Sequence, residues 1–299
     1  MGLLIEHRLR IGGRAVTLLE GPAGWGEISP LPDYPCDPAM ARRAAEEAAL
    51  DGWPAPLRDR VTVNALVVDA AFDPEAIRGF SAVKIKMRTR ADVDLVAAVR
   101  DAVGPDVELR VDANSVWDLD TAVEMCQRLA RLGVELVEQP VASLEELASL
   151  RRRVALPLAA DECVRTVGDA RRLRRLAAVD AIVLKVQPLG GVRPALAVAE
   201  EAAVPAIPTS MMETSIGLSA GLALAAALPE LPYACGLATL PFIAGDVTRE
   251  PVVPDGGVLR VRAAVPDAEL LARYSESASE GSQDANSFAS SAGRSRWSA

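Results

Sequence analysis

The feature that most constrains this fold is a regular alternation of two patterns between Val61 and Ala244. Short apolar or β-branched runs alternate there with longer amphipathic stretches of helical period. The short runs predict eight strands, at residues 61–67, 82–87, 107–111, 134–138, 156–160, 181–186, 206–209 and 233–237. The amphipathic stretches predict helices at residues 92–102, 119–132, 143–154, 167–177, 192–203 and 213–228. Because strands that alternate with helices form parallel sheets, and eight strands suit closure, we predict an α/β fold with a (β/α)8-type barrel, more narrowly a (β/α)7β barrel.

The first sixty residues follow a different pattern, which predicts a small α+β unit. Two strands, at residues 3–10 and 15–20, are joined by a glycine turn. The Gly- and Pro-rich residues 21–38 predict a loop. A helix at 37–51 is expected to start from Asp37 as its N-cap.

The chain after residue 244 no longer follows the repeat. Residues 256–261 predict one more strand, which we expect to return to the N-terminal sheet. From residue 275 onward nine of twenty-five residues are serine and few are apolar, which predicts disorder. We therefore predict a small α+β domain from residues 1–60, to which residues 245–274 return, a barrel at 61–244, and a disordered tail at 275–299.

Composition narrows the class of partner. The net charge of −9 opposes binding to nucleic acid or to an anionic membrane. Aromatic residues make up only 4%, which argues against surfaces that stack on nucleic-acid bases. Four widely spaced cysteines argue against a disulfide scaffold. No signal peptide is visible, and the apolar stretches are too short to span a bilayer. We expect a cytoplasmic protein that acts on a small molecule, without nucleic-acid or membrane partners; its oligomeric state stays open, and a monomer is one option.

The basic residues point to the chemistry. The chain has one histidine, His7, in a predicted edge strand, so mechanisms that need a histidine base are disfavoured. Arginine has replaced lysine almost everywhere, and only Lys84, Lys86 and Lys185 remain. Lysine can lose its proton when buried, whereas arginine stays charged, so these three are candidates for proton transfer. Lys84 and Lys86 face the same way in one strand, and two close ammonium groups favour loss of a proton from one of them.

Acidic residues recur at the ends of successive barrel strands. Asp112, Glu138 and Asp161 follow Lys86 at steps of 26, 26 and 23 residues, and Lys185 follows 24 residues later. Each step is about one strand–helix unit, so these side chains should meet at one rim, where barrels carry their active sites. Three convergent carboxylates are the oxygen ligands that Mg²⁺ or another divalent cation such as Mn²⁺ prefers. A helix N-cap is the alternative for any single acid, and Glu162 is an alternative ligand to Asp161.

The combined motifs resemble the enolase superfamily, in its muconate-lactonising subgroup. They are Lys-x-Lys at 84–86, Asp-Ala-Asn at 112–114, Glu-Gln-Pro at 138–140, Asp-Glu at 161–162, and a lone lysine at 185. Further similar segments are Gly-Trp-Gly-Glu at 24–27, Leu-Lys-Val-Gln-Pro at 184–188, Gly-Gly at 190–191, Ser-Met-Met-Glu-Thr-Ser-Ile-Gly at 210–217 and Gly-Leu-Ala-Thr at 236–239. The resemblance implies that the small α+β domain at residues 1–60, with 245–274, is a reduced capping domain, because the segment before the barrel is shorter than the usual capping domain of this superfamily.

The resemblance implies a role for each residue of these motifs. Lys86 is expected to be the general base and then the acid, with Lys84 beside it, and Lys185 is expected to stabilise the intermediate from the opposite face. Asn114 is expected to contact substrate. Gly191, before a predicted helix, either holds an anion or makes a tight turn. Ser210 binds a substrate carboxylate or caps the following helix.

The resemblance implies the metal-dependent dehydration of 2-succinyl-6-hydroxy-2,4-cyclohexadiene-1-carboxylate to 2-succinylbenzoate, a step of menaquinone synthesis. An N-acylamino-acid racemase or a cycloisomerase of the same subgroup is the alternative, because lysines on both faces also suit two-base racemisation. Dipeptide epimerases of this subgroup carry an Asp-x-Asp on the eighth strand that holds a substrate ammonium. This chain lacks it, which argues against substrates with a free amino group but not against the other reactions of the subgroup. More remote options are a Schiff-base aldolase that uses Lys185, which would leave the three acids unexplained, and a non-catalytic barrel.

Overall fold

The computed structural model describes residues 3–276 of the chain. The predicted disordered tail at 275–299 therefore lies outside the described residues, except for Ser275 and Glu276. In the described part, no helix has both the length and the apolar character needed to cross a bilayer.

The N-terminal unit is an antiparallel sheet covered by one helix. Its strands are β1 (Ile5–Ile11), β2 (Arg14–Gly21) and β3 (Gly24–Ile28), in that order, and helix α1 (Pro38–Leu50) packs on β3. Asp37 accepts a hydrogen bond from the Ala39 N–H, as expected of an N-cap. The prediction of a loop throughout 21–38 was wrong at β3. Gly26 brings this strand against the helix, since a Cβ there would lie 2.1 Å from the Ala45 carbonyl oxygen.

The central region is a parallel sheet curled into a barrel. Strand β4 (Arg60–Thr62) leads into it. Seven strands follow and neighbour one another in chain order: β5 (Ala65–Val67), β6 (Ala82–Lys86), β7 (Glu108–Asp112), β8 (Val134–Glu138), β9 (Leu158–Ala160), β10 (Ala181–Lys185) and β11 (Ala206–Thr209). Single bridges from Cys235 to Val63 and from Gly236 to Thr209 stand where the eighth strand was predicted. The predicted α/β barrel class is confirmed.

Helices follow the strands in the predicted alternation. They are α2 (Val93–Val103), α3 (Leu119–Arg131), α4 (Leu144–Arg151), α5 (Val167–Leu176), α6 (Val186–Leu189), α7 (Val192–Ala202) and α8 (Ser215–Ala227). The four-residue helix α6 was not predicted, because it continues directly from β10 and its first residue, Val186, was included in the predicted strand. It turns the chain at Gly190, which has a φ of +81°.

The segment after the barrel joins both other parts of the molecule. Strand β12 (Val258–Arg260) pairs antiparallel with β4. The expectation that it would pair with the N-terminal sheet was wrong, because β4 is outside the barrel sheet and its edge is open to β12. Helix α9 (Ala268–Tyr274) returns to the N-terminal sheet instead, where Leu271 and Tyr274 pack against a core that includes Leu9.

Two apolar layers support the barrel. The larger one lies between the strands and the outer helices and includes Ile85, Val111 and Leu184. The smaller layer lies inside the barrel. Successive side chains of a strand point to opposite faces of the sheet, and those on the inner face point to the barrel axis. The inner layer contains Leu136, Ala159, Ala181, Val183, Ile207 and Tyr233. Because side chains alternate along a strand, Lys185 shares the inward face with Ala181 and Val183. Charged side chains therefore stand at one end of a small apolar plug.

Candidate active site

Charged side chains lie at one level at the carboxyl end of the barrel strands. The strand register places Lys86 opposite Asp112, and Asp112 opposite Glu138. Asp161 directly follows β9, and Lys185 is the last residue of β10. The three acids and Lys185 are all at least nine-tenths buried. The structure thus brings the predicted residues together at one rim, while their chemical roles stay predictions.

The lysines and the acids of this rim are paired with one another. The Lys84 ammonium donates to Asp112 Oδ2 at 3.1 Å and to Glu138 Oε1 at 3.2 Å. The Lys86 ammonium donates to the same Asp112 oxygen at 2.7 Å. Lys185 donates to Asp161 Oδ2. Every lysine of the chain therefore neutralises one of the predicted metal ligands.

Burial and these pairs shift the ionisation of the acids in different directions. Burial alone would raise the pKa of Asp112, but Lys86 and Lys84 outweigh it and hold that pKa well below its usual range. Burial, followed by the neighbouring Asp112 charge, raises the pKa of Glu138 to about 8. Burial also opposes ionisation of Asp161, yet Lys185 keeps its pKa below the usual value. The site thus holds two carboxylates, Asp112 and Asp161, that favour the ionised form. The third, Glu138, has a pKa close to neutral pH.

The acids also shift the ionisation of Lys84. Burial alone would lower its pKa, but Glu138 and then Asp112 outweigh burial and raise the pKa to about 12. This shift favours the ammonium form, and the catalytic role of Lys84 stays a prediction.

The donor set fits a divalent cation in its chemistry. All three candidate ligands are carboxylates, the hard oxygen donors that Mg²⁺ prefers, and a positive charge already lies between Asp112 and Glu138 in the form of the Lys84 ammonium. Within residues 3–276, however, no three side chains of His, Cys, Asp or Glu are grouped so that they could hold a metal ion as they stand. A bound cation would therefore have to replace lysine contacts, notably that of Lys185 with Asp161.

Asn114 connects the Lys86 ammonium to Glu162. Lys86 donates to Asn114 Oδ1 at 2.8 Å, and Asn114 Nδ2 donates to Glu162 Oε1 at 2.9 Å. Asn114 adopts a φ of +46°, a conformation that asparagine tolerates better than most residues. Burial, and after it the Asp161 charge, raises the pKa of Glu162. The contact of Asn114 with substrate stays a prediction, and its observed partner is the candidate base.

The anion expected at Gly191 is supplied by the chain itself. Glu47 of α1 accepts hydrogen bonds from the backbone N–H groups of Val192 at 2.6 Å and Arg193 at 3.1 Å, at the N-terminus of α7. A Cβ on Gly191 would lie 1.9 Å from Glu47 Oε2. The glycine is therefore needed for the approach of the capping helix, and its contact with substrate stays a prediction.

Ser210 lies on the rim without capping a helix. Its hydroxyl is 2.6 Å from Thr239 Oγ1, and the N-cap of α8 is Thr214 instead. The capping alternative for Ser210 was therefore wrong, and its contact with a substrate carboxylate stays a prediction. The neighbouring Thr209 hydroxyl is buried and has no hydrogen-bond partner within the described part of the chain.

Sequence reasoning missed Tyr34, which reaches the site from the segment between β3 and α1. Its hydroxyl donates to Asp161 Oδ1 at 2.6 Å. The Lys185 ammonium lies 4.4 Å from the centroid of its ring, and the Arg165 guanidinium carbon lies 4.7 Å from that centroid. The chain has only three tyrosines, so a tyrosine in a loop beside the barrel was a signal that could have been used.

Gln139, in the Glu-Gln-Pro motif, positions the neighbouring acid. Its Oε1 accepts a hydrogen bond from the Asp161 N–H at 2.6 Å, and its Nε2 donates to the Val141 carbonyl at 2.7 Å. It is fully buried and has a φ of +41°. The side chain therefore links the end of β8 to the end of β9 rather than facing substrate.

Comparison with known proteins places this fold and site in a family. Residues 68–267 match the family described as Enolase C-terminal domain-like, and residues 3–49 match Enolase N-terminal domain-like. The muconate cycloisomerase of Pseudomonas fluorescens superposes with a TM-score of 0.80 over 92% of this chain and 98% of its own, at 21% identity. That likeness shows the shared fold. The chain belongs to the enolase superfamily.

Curated relatives narrow the family further. An o-succinylbenzoate synthase of Thermobifida fusca is 51% identical over 282 residues, which cover 90% of this chain and 89% of the relative. The o-succinylbenzoate synthase of Mycolicibacterium smegmatis is 45% identical over 283 residues, covering 90% and 87%. Within the superfamily, the chain is a member of the o-succinylbenzoate synthase family.

Proposed function

We propose that this chain is a lyase that dehydrates 2-succinyl-6-hydroxy-2,4-cyclohexadiene-1-carboxylate to 2-succinylbenzoate. The observation that carries the proposal is the pair formed by the half-buried Lys86 on β6 and the buried Lys185 on β10, which approach one rim from separate sides of the barrel. Acids at the same level neutralise both of them. The similarity to o-succinylbenzoate synthases supports this reaction over others of the superfamily.

Lys86 is assigned the proton transfer. As a neutral amine it has two N–H bonds, and its two acceptors, Asp112 and Asn114, account for both. The nitrogen lone pair is then directed away from these partners and can take the proton from the ring carbon next to the carboxylate. The resulting ammonium has a third N–H, which protonates the departing hydroxyl. The C–H and C–O bonds break, the ring becomes aromatic and water leaves.

Lys185 is assigned the stabilisation of negative charge. Burial opposes its charge, but the contact with Asp161 outweighs burial and raises the pKa of Lys185 above its usual value. In this role Lys185 acts as an ammonium, which attracts the electron density that builds up when the proton leaves. The same pairing disfavours Lys185 as the nucleophile of a Schiff-base aldolase, because an ammonium has no free lone pair.

Asp112, Glu138 and Asp161 are the residues that would hold a divalent cation, Mg²⁺ or Mn²⁺. Such a cation supplies, when bound, a fixed positive charge that stabilises developing negative charge on a substrate carboxylate. A cytoplasmic location and a place in menaquinone synthesis remain predictions that follow from the family resemblance.

The decisive experiment is an assay of the purified protein with the cyclohexadiene substrate and with N-succinyl amino acids, each with and without EDTA. We expect dehydration that EDTA abolishes and added Mg²⁺ restores. Racemisation of N-succinyl amino acids without dehydration would overturn the proposal in favour of a racemase, which lysines on both sides of the site also permit.

A further inference from the structure

We propose that Arg165 binds the second carboxylate of the substrate, the one at the end of its succinyl chain. Arg165 lies in the loop between β9 and α5, four residues after Asp161. The inference rests on the proposed function, because only a substrate with two carboxylates requires a second anion site.

The guanidinium of Arg165 has buried hydrogen-bond donors that nothing satisfies. Nη1 donates to the carbonyl oxygens of Asp161 at 3.0 Å and Val164 at 3.1 Å. Nε and Nη2 are buried and have no partner within residues 3–276. Unpaired buried donors are uncommon and cost stability, especially on a charged group, so they indicate a missing partner.

The missing partner is an anion. Each lysine of the rim has a carboxylate within ion-pair distance. The Arg165 guanidinium has no such acid among the described residues, where only backbone carbonyls accept from it, while the Arg165 backbone N–H donates to Asp169 Oδ2. Nε and Nη2 form one edge of the planar guanidinium, and this edge can donate to both oxygens of a single carboxylate.

The position of Arg165 suits the far end of a small dicarboxylate. Arg165 and Lys185 both lie against the ring of Tyr34, at 4.7 and 4.4 Å from its centroid. If the ring carboxylate of the substrate lies near the lysines, the succinyl chain extends from the same centre by several bonds and can reach the guanidinium. Because Tyr34 belongs to the segment before α1, a carboxylate can reach Arg165 if that segment shifts while the barrel stays in place.

The test compares two ligands that differ only in the terminal carboxylate. 2-Butanoylbenzoate has the same chain length as 2-succinylbenzoate and carries a methyl group in place of that carboxylate. We expect Arg165→Met to weaken binding of 2-succinylbenzoate by about 30-fold, measured by isothermal titration calorimetry with saturating Mg²⁺, and to change binding of 2-butanoylbenzoate by less than threefold. Arg165→Lys keeps the charge without the fork and should fall between. The exposed Arg152→Met is the matched control and should change neither value.

Equal weakening of both ligands by Arg165→Met, or no weakening of either, would overturn the inference. If that variant does not fold, Arg165→Lys and the wild-type protein still decide, since a wild-type protein that binds the two ligands equally well has no second carboxylate site. A wild-type protein that does not dehydrate the cyclohexadiene substrate refutes the proposed function itself. An active wild type without this ligand discrimination refutes only the role of Arg165.

Discussion

Buried carboxylates occur in two regions of this molecule and are neutralised in two different ways. At the rim, Asp112, Glu138 and Asp161 face lysine ammonium groups. The cap–barrel joint is formed by the buried Glu27 and Glu213 and the half-buried Glu47. Glu27 and Glu47 face backbone N–H groups at helix N-termini, and Glu213 accepts from the Met211 N–H. Glu47 also forms an ion pair with the Arg193 guanidinium at 2.8 Å.

The joint shows how a carboxylate is fixed in place. Glu27 of β3 accepts from the N–H groups of Thr214 at 3.1 Å and Gly217 at 2.9 Å, and from the hydroxyls of Ser29 and Thr214. Backbone donors have no freedom to leave, and the helix dipole of α8 favours the negative charge. The rim acids have partners on flexible side chains, which can move when a cation or substrate binds. Carboxylates whose partners are mobile side chains therefore belong to the site, whereas Glu27, which backbone donors hold in place, belongs to the scaffold.

The largest effect is expected at the rim. Lys86→Arg should lower kcat by about 10³-fold, because arginine cannot release a proton at neutral pH. Lys185→Arg keeps the charge and should retain more activity than Lys86→Arg. Substrate binding by either variant should stay within roughly tenfold, about 1.4 kcal/mol. Steady-state kinetics and product titration measure both quantities. A Lys86→Arg variant with near wild-type turnover, or a Lys185→Arg variant with the lower residual activity, would contradict the assigned roles.

At the joint, the expected effect is on stability instead of chemistry. Glu27→Gln replaces a charged acceptor by an amide whose NH₂ faces other donors, and we expect a loss of about 3 kcal/mol in the free energy of unfolding. Activity per folded molecule should change less than twofold. Urea unfolding and active-site titration check this. The exposed Glu145→Gln is the control and should stay within about 0.5 kcal/mol. A fall in kcat without loss of stability would show that Glu27 belongs to the active site, and it would contradict the difference drawn between the rim and the joint.

The pH dependence of stability tests the ionisation of Glu213 at the joint. Burial, and then the charge of Glu27, raises the pKa of Glu213 to about 7; Arg14 is the cation that faces it. The folded state binds the proton of Glu213 more tightly than the unfolded state does. The free energy of unfolding is therefore highest below about pH 4.5, and it falls as the pH rises to 7. The loss should reach about 3 kcal/mol.

Urea unfolding at pH 5 and pH 8 in EDTA is the measurement. Glu213→Gln should lose less stability than the wild type between these two pH values, because it has no proton to release. Identical changes in the two proteins would show that Glu213 does not titrate in this range.

The smallest effect is expected for Tyr34→Phe, which keeps the ring beside Arg165 and Lys185 but removes the hydrogen bond to Asp161. Since the hydroxyl occupies one carboxylate oxygen at 2.6 Å, its removal should tighten Mg²⁺ binding by up to about fivefold, roughly the net value of one hydrogen bond. Calorimetric titration of Mg²⁺ measures this. Weaker Mg²⁺ binding would show that Tyr34 helps to position Asp161 for the cation instead of competing with it.

The sequence by itself determined the barrel and the level of its charged residues. Local periodicity marks each strand, and a repeat of about one strand–helix unit carries Asp112, Glu138 and Lys185 to equivalent strand ends. In a parallel sheet, equivalent ends must share one edge, so the residues that meet there follow from spacing alone.

Only the tertiary structure decided which groups come to that edge from outside the repeat. Glu47 occupies the helix N-terminus next to Gly191, and Tyr34 bonds to Asp161 across 127 residues of chain. The sequence also does not show that Nε and Nη2 of Arg165 are without hydrogen-bond partners in the described part of the chain, since an arginine between Val164 and Thr166 looks like any other surface arginine. Such contacts depend on how the capping unit docks on the barrel. Docking is set by packing of whole surfaces, such as Gly191 of the barrel against Glu47 of α1, and leaves no periodic signal in either partner.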